Sequence, residues 1–150
     1  MLREKINDGL KQAMKEGDKR RVSTLRLVNS AFKNADIEAR GSGKELADDA
    51  LLGLLQKMIK QRQESADLYD KGNRAELAAQ EREEIAIING FLPQQMDEAA
   101  SRDAIEAAIQ DTGAQGVKDM GKVIGALKQK YAGQMDFGKV SAAVKARLAG

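Results

Sequence analysis

Apolar residues recur every three or four positions along most of this chain, and glycines interrupt the pattern at intervals. That periodicity is the mark of amphipathic helices. Leu2, Ile6, Leu10 and Met14 predict a first helix that stops at Gly17. Asp18 offers an N-cap for a second, with Val22, Leu25, Val28, Phe32 and Ala35 on one face. Gly41-Ser42-Gly43 breaks it as a short loop. A third helix starts behind Asp48 or Asp49 and turns Leu51, Leu52, Leu55, Met58, Ile59, Ala66 and Tyr69 inward. Gly72 reads as its terminating glycine and Asn73 as the next N-cap. The fourth helix carries Leu77, Ile85 and Ile88 behind an acidic surface of Glu81, Glu83 and Glu84.

Pro93 is the single proline, set in Gly90-Phe91-Leu92-Pro93-Gln94-Gln95. The residue before a proline is steered away from helical geometry, so the fourth helix should end near Leu92. This places a boundary between an N-terminal helical subdomain, 1–92, and a C-terminal one, 93–150. In the second, Asp97 or Glu98 opens a helix bearing Ile105, Ala108 and Ile109 that ends at Gly113. Another spans about Val117 to Tyr131 and is closed by Gly133, and Asp136 caps a last one with Phe137, Val140, Val144 and Leu148 inward. The fold class that follows is all-α: a four-helix N-terminal part joined to a compact three-helix C-terminal subdomain.

Composition narrows the chemistry. Ala, Glu, Lys, Leu and Arg supply almost half of the 150 residues, and aromatics only 3%, a balance that favours helix over sheet. With no Cys and no His, the chain cannot form a disulfide, a zinc site ligated by those residues, or a nucleophile–histidine pair. No catalytic residues, metal site or cofactor are expected. The first residues, Met1-Leu2-Arg3-Glu4-Lys5, lead into mixed polar sequence without the apolar core of a secretory signal. No run approaches the roughly 18 to 20 apolar residues that cross a bilayer. The expectation is a cytoplasmic protein with no membrane partner.

Charge changes the picture more by its distribution than by its net value of +2. Residues 1–33 hold nine basic and four acidic side chains, residues 64–84 three and seven, and residues 112–150 seven and two. Either basic end could meet a polyanion. The informative segment is Asp119-Met120-Gly121-Lys122-Val123-Ile124-Gly125-Ala126-Leu127-Lys128. At about 100° per residue, Met120, Val123, Ile124, Leu127 and Tyr131 share the core side. Lys118, Lys122, Gly125 and Gln129 fall nearly opposite, flanked by Gly121 and Lys128. A mid-helix glycine costs about 1 kcal/mol relative to alanine, so two on the outer side ask for a reason. One reading is a contact for an RNA sugar–phosphate backbone, in which missing Cβ atoms allow close approach. Lys118, Lys122 and Lys128 would then bind phosphate, with Lys130, Lys139, Lys145 and Arg147 extending the field. The other is that Gly121 and Gly125 receive a helix of the first subdomain while the lysines stay solvated.

Other candidates carry less. Lys57 with Gln61, and Lys60 with Glu64, read as ordinary surface pairs. Lys19-Arg20-Arg21 puts three cations at a helix start, where the dipole disfavours them, and reads as a solvated turn. Glu83 and Glu84 point about 100° apart with no identifiable partner, which argues against acid–base chemistry there.

Several stretches, in order over nearly the whole chain, resemble the YqeY family, whose fold is shared with the tail domain of the B subunit of glutamine-dependent aminoacyl-tRNA amidotransferases. They are Lys15-Glu16-Gly17-Asp18, Leu25-Arg26-Leu27, Lys60-Gln61-Arg62-Gln63-Glu64-Ser65, Phe91-Leu92-Pro93-Gln94-Gln95 and Asp119-Met120-Gly121-Lys122-Val123-Ile124-Gly125. Ile124 stands where the family commonly has methionine, and Asp136-Phe137-Gly138 replaces a more usual Asp-Gly pair. The resemblance implies an association with tRNA, and through it with an aminoacyl-tRNA synthetase or amidotransferase component. It also brings a family label of carbon–nitrogen ligase with glutamine as amide donor. The catalytic cradle, ATP site and glutaminase of that enzyme have no counterpart in these residues. The expected function is therefore a non-catalytic tRNA-binding or tRNA-handling module. An accessory component of such a ligase and a protein–protein adaptor are the alternatives.

Overall fold

A computed structural model of the chain describes residues 1–42 and 46–150. Among these residues there are seven α-helices and no strand, so the all-α reading holds. They are α1 (Leu2–Glu16), α2 (Lys19–Ala39), α3 (Asp48–Lys71), α4 (Ala75–Asn89), α5 (Glu98–Thr112), α6 (Met120–Tyr131) and α7 (Phe137–Ala149). Short 3-10 turns occupy Arg40–Ser42 and Val117–Asp119. The chain forms two compact units, Met1–Leu92 and Pro93–Gly150.

Helix boundaries follow the local chemistry. Gly17 and Gly113 take the left-handed conformation that ends α1 and α5, with φ of 71° and 67°. The carboxylates of Asp18, Asp97 and Asp136 accept from the backbone N–H groups of Arg21, Ala100 and Gly138 and so cap α2, α5 and α7. Two expected ends differ. Between α3 and α4 the left-handed residue is Asn73, at φ 58°, while Gly72 stays at −90° and Arg74 occupies the N-cap. Asparagine tolerates this region better than other side chains, so the turn needs no glycine there. The loop expected at Gly41-Ser42-Gly43 begins as the 3-10 turn, and Gly43 lies outside the described residues.

The N-terminal unit packs Leu2, Ile6, Leu25, Val28, Phe32, Leu51, Leu55, Met58 and Ile88 into one core. Met14, expected inside, is 55% exposed, and Ala13 is buried instead. A repeat of four advances 400° per step, so Met14 has rotated about 120° from Leu2. In α4, Ala78 replaces the half-exposed Leu77 on the inner face. Ala66 of α3 is buried too, and small residues let these two long helices approach closely. Thr24 is fully buried in α2, and its hydroxyl has no hydrogen-bond partner among the described residues.

The C-terminal unit gathers Ala104, Ile105, Ala108, Ile109, Val123, Leu127, Met135, Val140 and Val144. Its opening irregular segment is tied back: Gln95 Nε2 donates to the carbonyl oxygen of Gly133, and Met96 N–H donates to that of Gln134 at 2.9 Å.

Candidate nucleic-acid interface

The glycine–lysine helix is built in two steps. Gly116 has extended backbone, the 3-10 turn Val117–Asp119 follows, and α6 begins at Met120. The helix is thus shorter than expected at its N-terminus by one turn. The Asp119 carboxylate accepts from the backbone N–H of Gln115 at 3.0 Å, which stitches this entry together. Val123 and Leu127 are buried, and Met120, Ile124 and Tyr131 pack against them. The core side of α6 is therefore the one its periodicity indicates.

On the other side, Gly121 and Gly125 are exposed, and nothing lies within 4 Å of where a Cβ would stand on either. Lys118, Lys122 and Lys128 are exposed, and none makes an ion pair among the described residues. Gly121, Lys122, Gly125, Lys128 and Gln129 form one continuous strip by helical position. Lys128 Nζ sits 5.9 Å from the centre of the Phe137 ring, a cation–π contact that steadies the ammonium without neutralising it.

The remaining candidates spread out. Lys130 turns to the flank, its Nζ 5.5 Å from the Tyr131 ring centre. Lys139 and Lys145 are exposed on α7, about 120° apart around that helix, so they do not share one face. Arg147 is paired with Glu106 of α5, its Nη2 donating at 3.3 Å to Oε2. That carboxylate raises the pKa of the guanidinium and takes up its charge. Arg147 is therefore a brace between α5 and α7 and drops out of the candidate surface.

The sequence reading missed a charged pair in the N-terminal unit. Arg62, in the stretch read as solvated surface, has a side chain only 15% exposed, and that of Glu84 is 10% exposed. Arg62 Nε donates to Glu84 Oε2 at 3.2 Å, and Nη1 donates to the Met58 carbonyl at 3.2 Å. Burial, aided by the charge of Glu84, pushes the neighbouring Glu81 carboxyl up, against the pull of Arg62. The signal was present: Met58, Arg62 and Ala66 are four apart on α3, and Glu84 precedes Ile88 by four on α4. Each charge therefore sits on its helix's inner stripe. The pair ties α3 to α4, and breaking one side would leave a nearly buried charge. A groove of about 400 Å³ on the same two helices is lined by Gln63, Ala66, Asp67, Arg82 and Ile85. Its guanidinium is held by Asp70, so it offers no free cation.

The described residues fold as two all-α units, the second carrying exposed glycines and lysines along the outer side of α6. The chain belongs to the family described as Yqey-like protein, whose model matches residues 3–148. It is similar to proteins named "Altered inheritance of mitochondria protein 41, mitochondrial" from three yeasts. With that of Lachancea thermotolerans it shares 39% identity over 59% of this chain and 46% of the relative. For Vanderwaltozyma polyspora the identity is 35%, over 61% and 52%. For Kluyveromyces lactis it is 32%, over 69% and 54%. The chain spans about half the length of these curated relatives.

Those names overturn the cytoplasmic expectation, because each relative is called mitochondrial. The reasoning tested only for the apolar core of a secretory signal. Mitochondrial targeting segments are amphipathic and Arg-rich instead, so that test could not exclude this compartment.

Proposed function

We propose that this chain is a tRNA-binding or tRNA-handling module without chemistry of its own, and that the outer strip of α6 meets the sugar–phosphate backbone. The observation that carries the reading is the open space above Gly121 and Gly125, beside lysines that no carboxylate of the described residues neutralises. A backbone-to-backbone approach needs the first feature, and phosphate needs the second. The resemblance to the amidotransferase tail domain noted from the sequence supports tRNA as the polyanion.

The test is tRNA binding by the intact chain across a salt series. Affinity should fall as salt rises, because phosphate contacts release counterions. The variant Lys122→Glu/Lys128→Glu should bind more weakly. Its log–log salt slope should be shallower by about 1.4 to 1.8, from two lost contacts worth about 0.7–0.9 each. Unchanged binding in that variant would remove the site from α6. Amidation of mischarged tRNA by the chain alone, given ATP and glutamine, would overturn the non-catalytic part.

A further inference from the structure

The outer face of α2 carries a pattern that the α6 reading does not use. Lys19, Arg26 and Lys33 follow one another at seven-residue intervals, and Arg40 continues the series in the 3-10 turn. Seven residues advance a helix by about 10.5 Å and rotate it by only about 20° short of two turns. The cations therefore form one stripe. All four are exposed. Lys19, Arg26 and Lys33 make no ion pair among the described residues.

The neighbouring helices frame this face without covering it. On one side Asn29 Nδ2 donates to Asn7 Oδ1 of α1 at 3.1 Å, and Arg3 grips Asp36 at 2.7 Å. On the other, Arg20 Nε donates to Glu83 of α4 at 3.2 Å. Of the acids beside the stripe, Asp18 caps α2 at the backbone N–H of Arg21. Asp36 is held by Arg3, Glu83 by Arg20, and Glu38 lies about 120° around the helix from Arg26. Between the cations stand exposed Ser30 and Asn34, which can donate to phosphate or ribose oxygens.

We infer that the α2 stripe is a second docking surface for an RNA sugar–phosphate backbone, on the N-terminal unit and independent of α6. Charge complementarity selects a polyanion, since the stripe has one sign. A lipid surface fits less well. The exposed apolar side chains near it, Leu27 and Ile37, are ten residues apart with Ser30 and Asn34 between them, whereas interfacial helices insert a continuous apolar face.

The experiment uses the full chain, a labelled tRNA transcript read by fluorescence anisotropy in a KCl series, and vesicles containing phosphatidylserine. Lys19→Glu/Arg26→Glu/Lys33→Glu is compared with Lys122→Glu/Lys128→Glu, with helicity checked by circular dichroism. If charge reversal disturbs folding, Lys19→Gln/Arg26→Gln/Lys33→Gln is read in its place. The α2 variant should show a salt slope shallower by about 2 to 3, from three lost contacts, and weaker binding at every salt. Unchanged affinity and slope in that variant, with loss in the α6 variant, would overturn this inference and leave the α6 reading standing. Loss in the α2 variant alone would do the reverse. A wild-type chain that binds no tRNA would overturn both. Vesicle binding abolished by the α2 substitutions while tRNA binding persists would assign the stripe to lipid and also overturn it.

Discussion

A methyl group added at Gly125 has empty space to enter and a helix to strengthen. Gly53, in the body of α3, is equally open. Alanine at either position should stabilise the chain by about 0.5–1 kcal/mol, measured by urea unfolding. Only Gly125→Ala should weaken tRNA binding if a nucleic-acid backbone lies against α6, so the pair separates contact from helix propensity. A Gly125→Ala chain that is more stable and binds as before would show that the glycine serves no close approach. Not every glycine allows this: a Cβ on Gly9 would stand 3.0 Å from the Phe91 ring, which Arg21 covers at 5.6 Å. At this scale the sequence was legible for the core side of α6, left open whether the opposite side is covered, and was opaque for Arg62 and Glu84. A guanidinium and a carboxylate on inner stripes look like surface residues until each is known to face the other, and that pairing is a tertiary fact.

Helix starts and stops were readable because a cap is a local event: an aspartate carboxylate meets an N–H two or three residues on, and a glycine adopts positive φ. Which residue of a helix faces the core was less so. Rotation accumulates along α1, and close packing of α3 on α4 prefers Ala78 to Leu77. Contacts between elements also set the pH response. Arg3 donates through both terminal nitrogens to Asp36, 2.7 Å each, and joins α1 to α2. This hydrogen bonding holds the Asp36 carboxyl below its ordinary 3.8. A depressed pKa stabilises the fold above the unfolded value and loses that contribution as pH falls through the folded one. Asp36→Asn should therefore lower stability at neutral pH, and its deficit against the parent should shrink as pH drops below about 3.8, followed by thermal melts. A deficit constant with pH would mean that the ion pair contributes nothing.

For the molecule as a whole, each core is drawn from its own unit: the first from α1 to α4, the second from α5 to α7. Leu127, 1% exposed, belongs wholly to the second. Leu127→Ala should cost about 2–5 kcal/mol there, enough to open a unit of this size. Hydrogen exchange should quicken in residues 93–150 and stay slow in α1–α4, as expected of separate cooperative units; uniform quickening would show one. A final consequence arises inside α2, beneath its cationic face. The sequestered Thr24 hydroxyl forgoes water and gains no acceptor in return, so Thr24→Val, matched in shape, should raise the melting temperature, with a gain of about 1 kcal/mol. That reserve would let the helix tolerate changes on its outer side that an unreinforced scaffold could not carry, making the buried methyl a handle on evolvability.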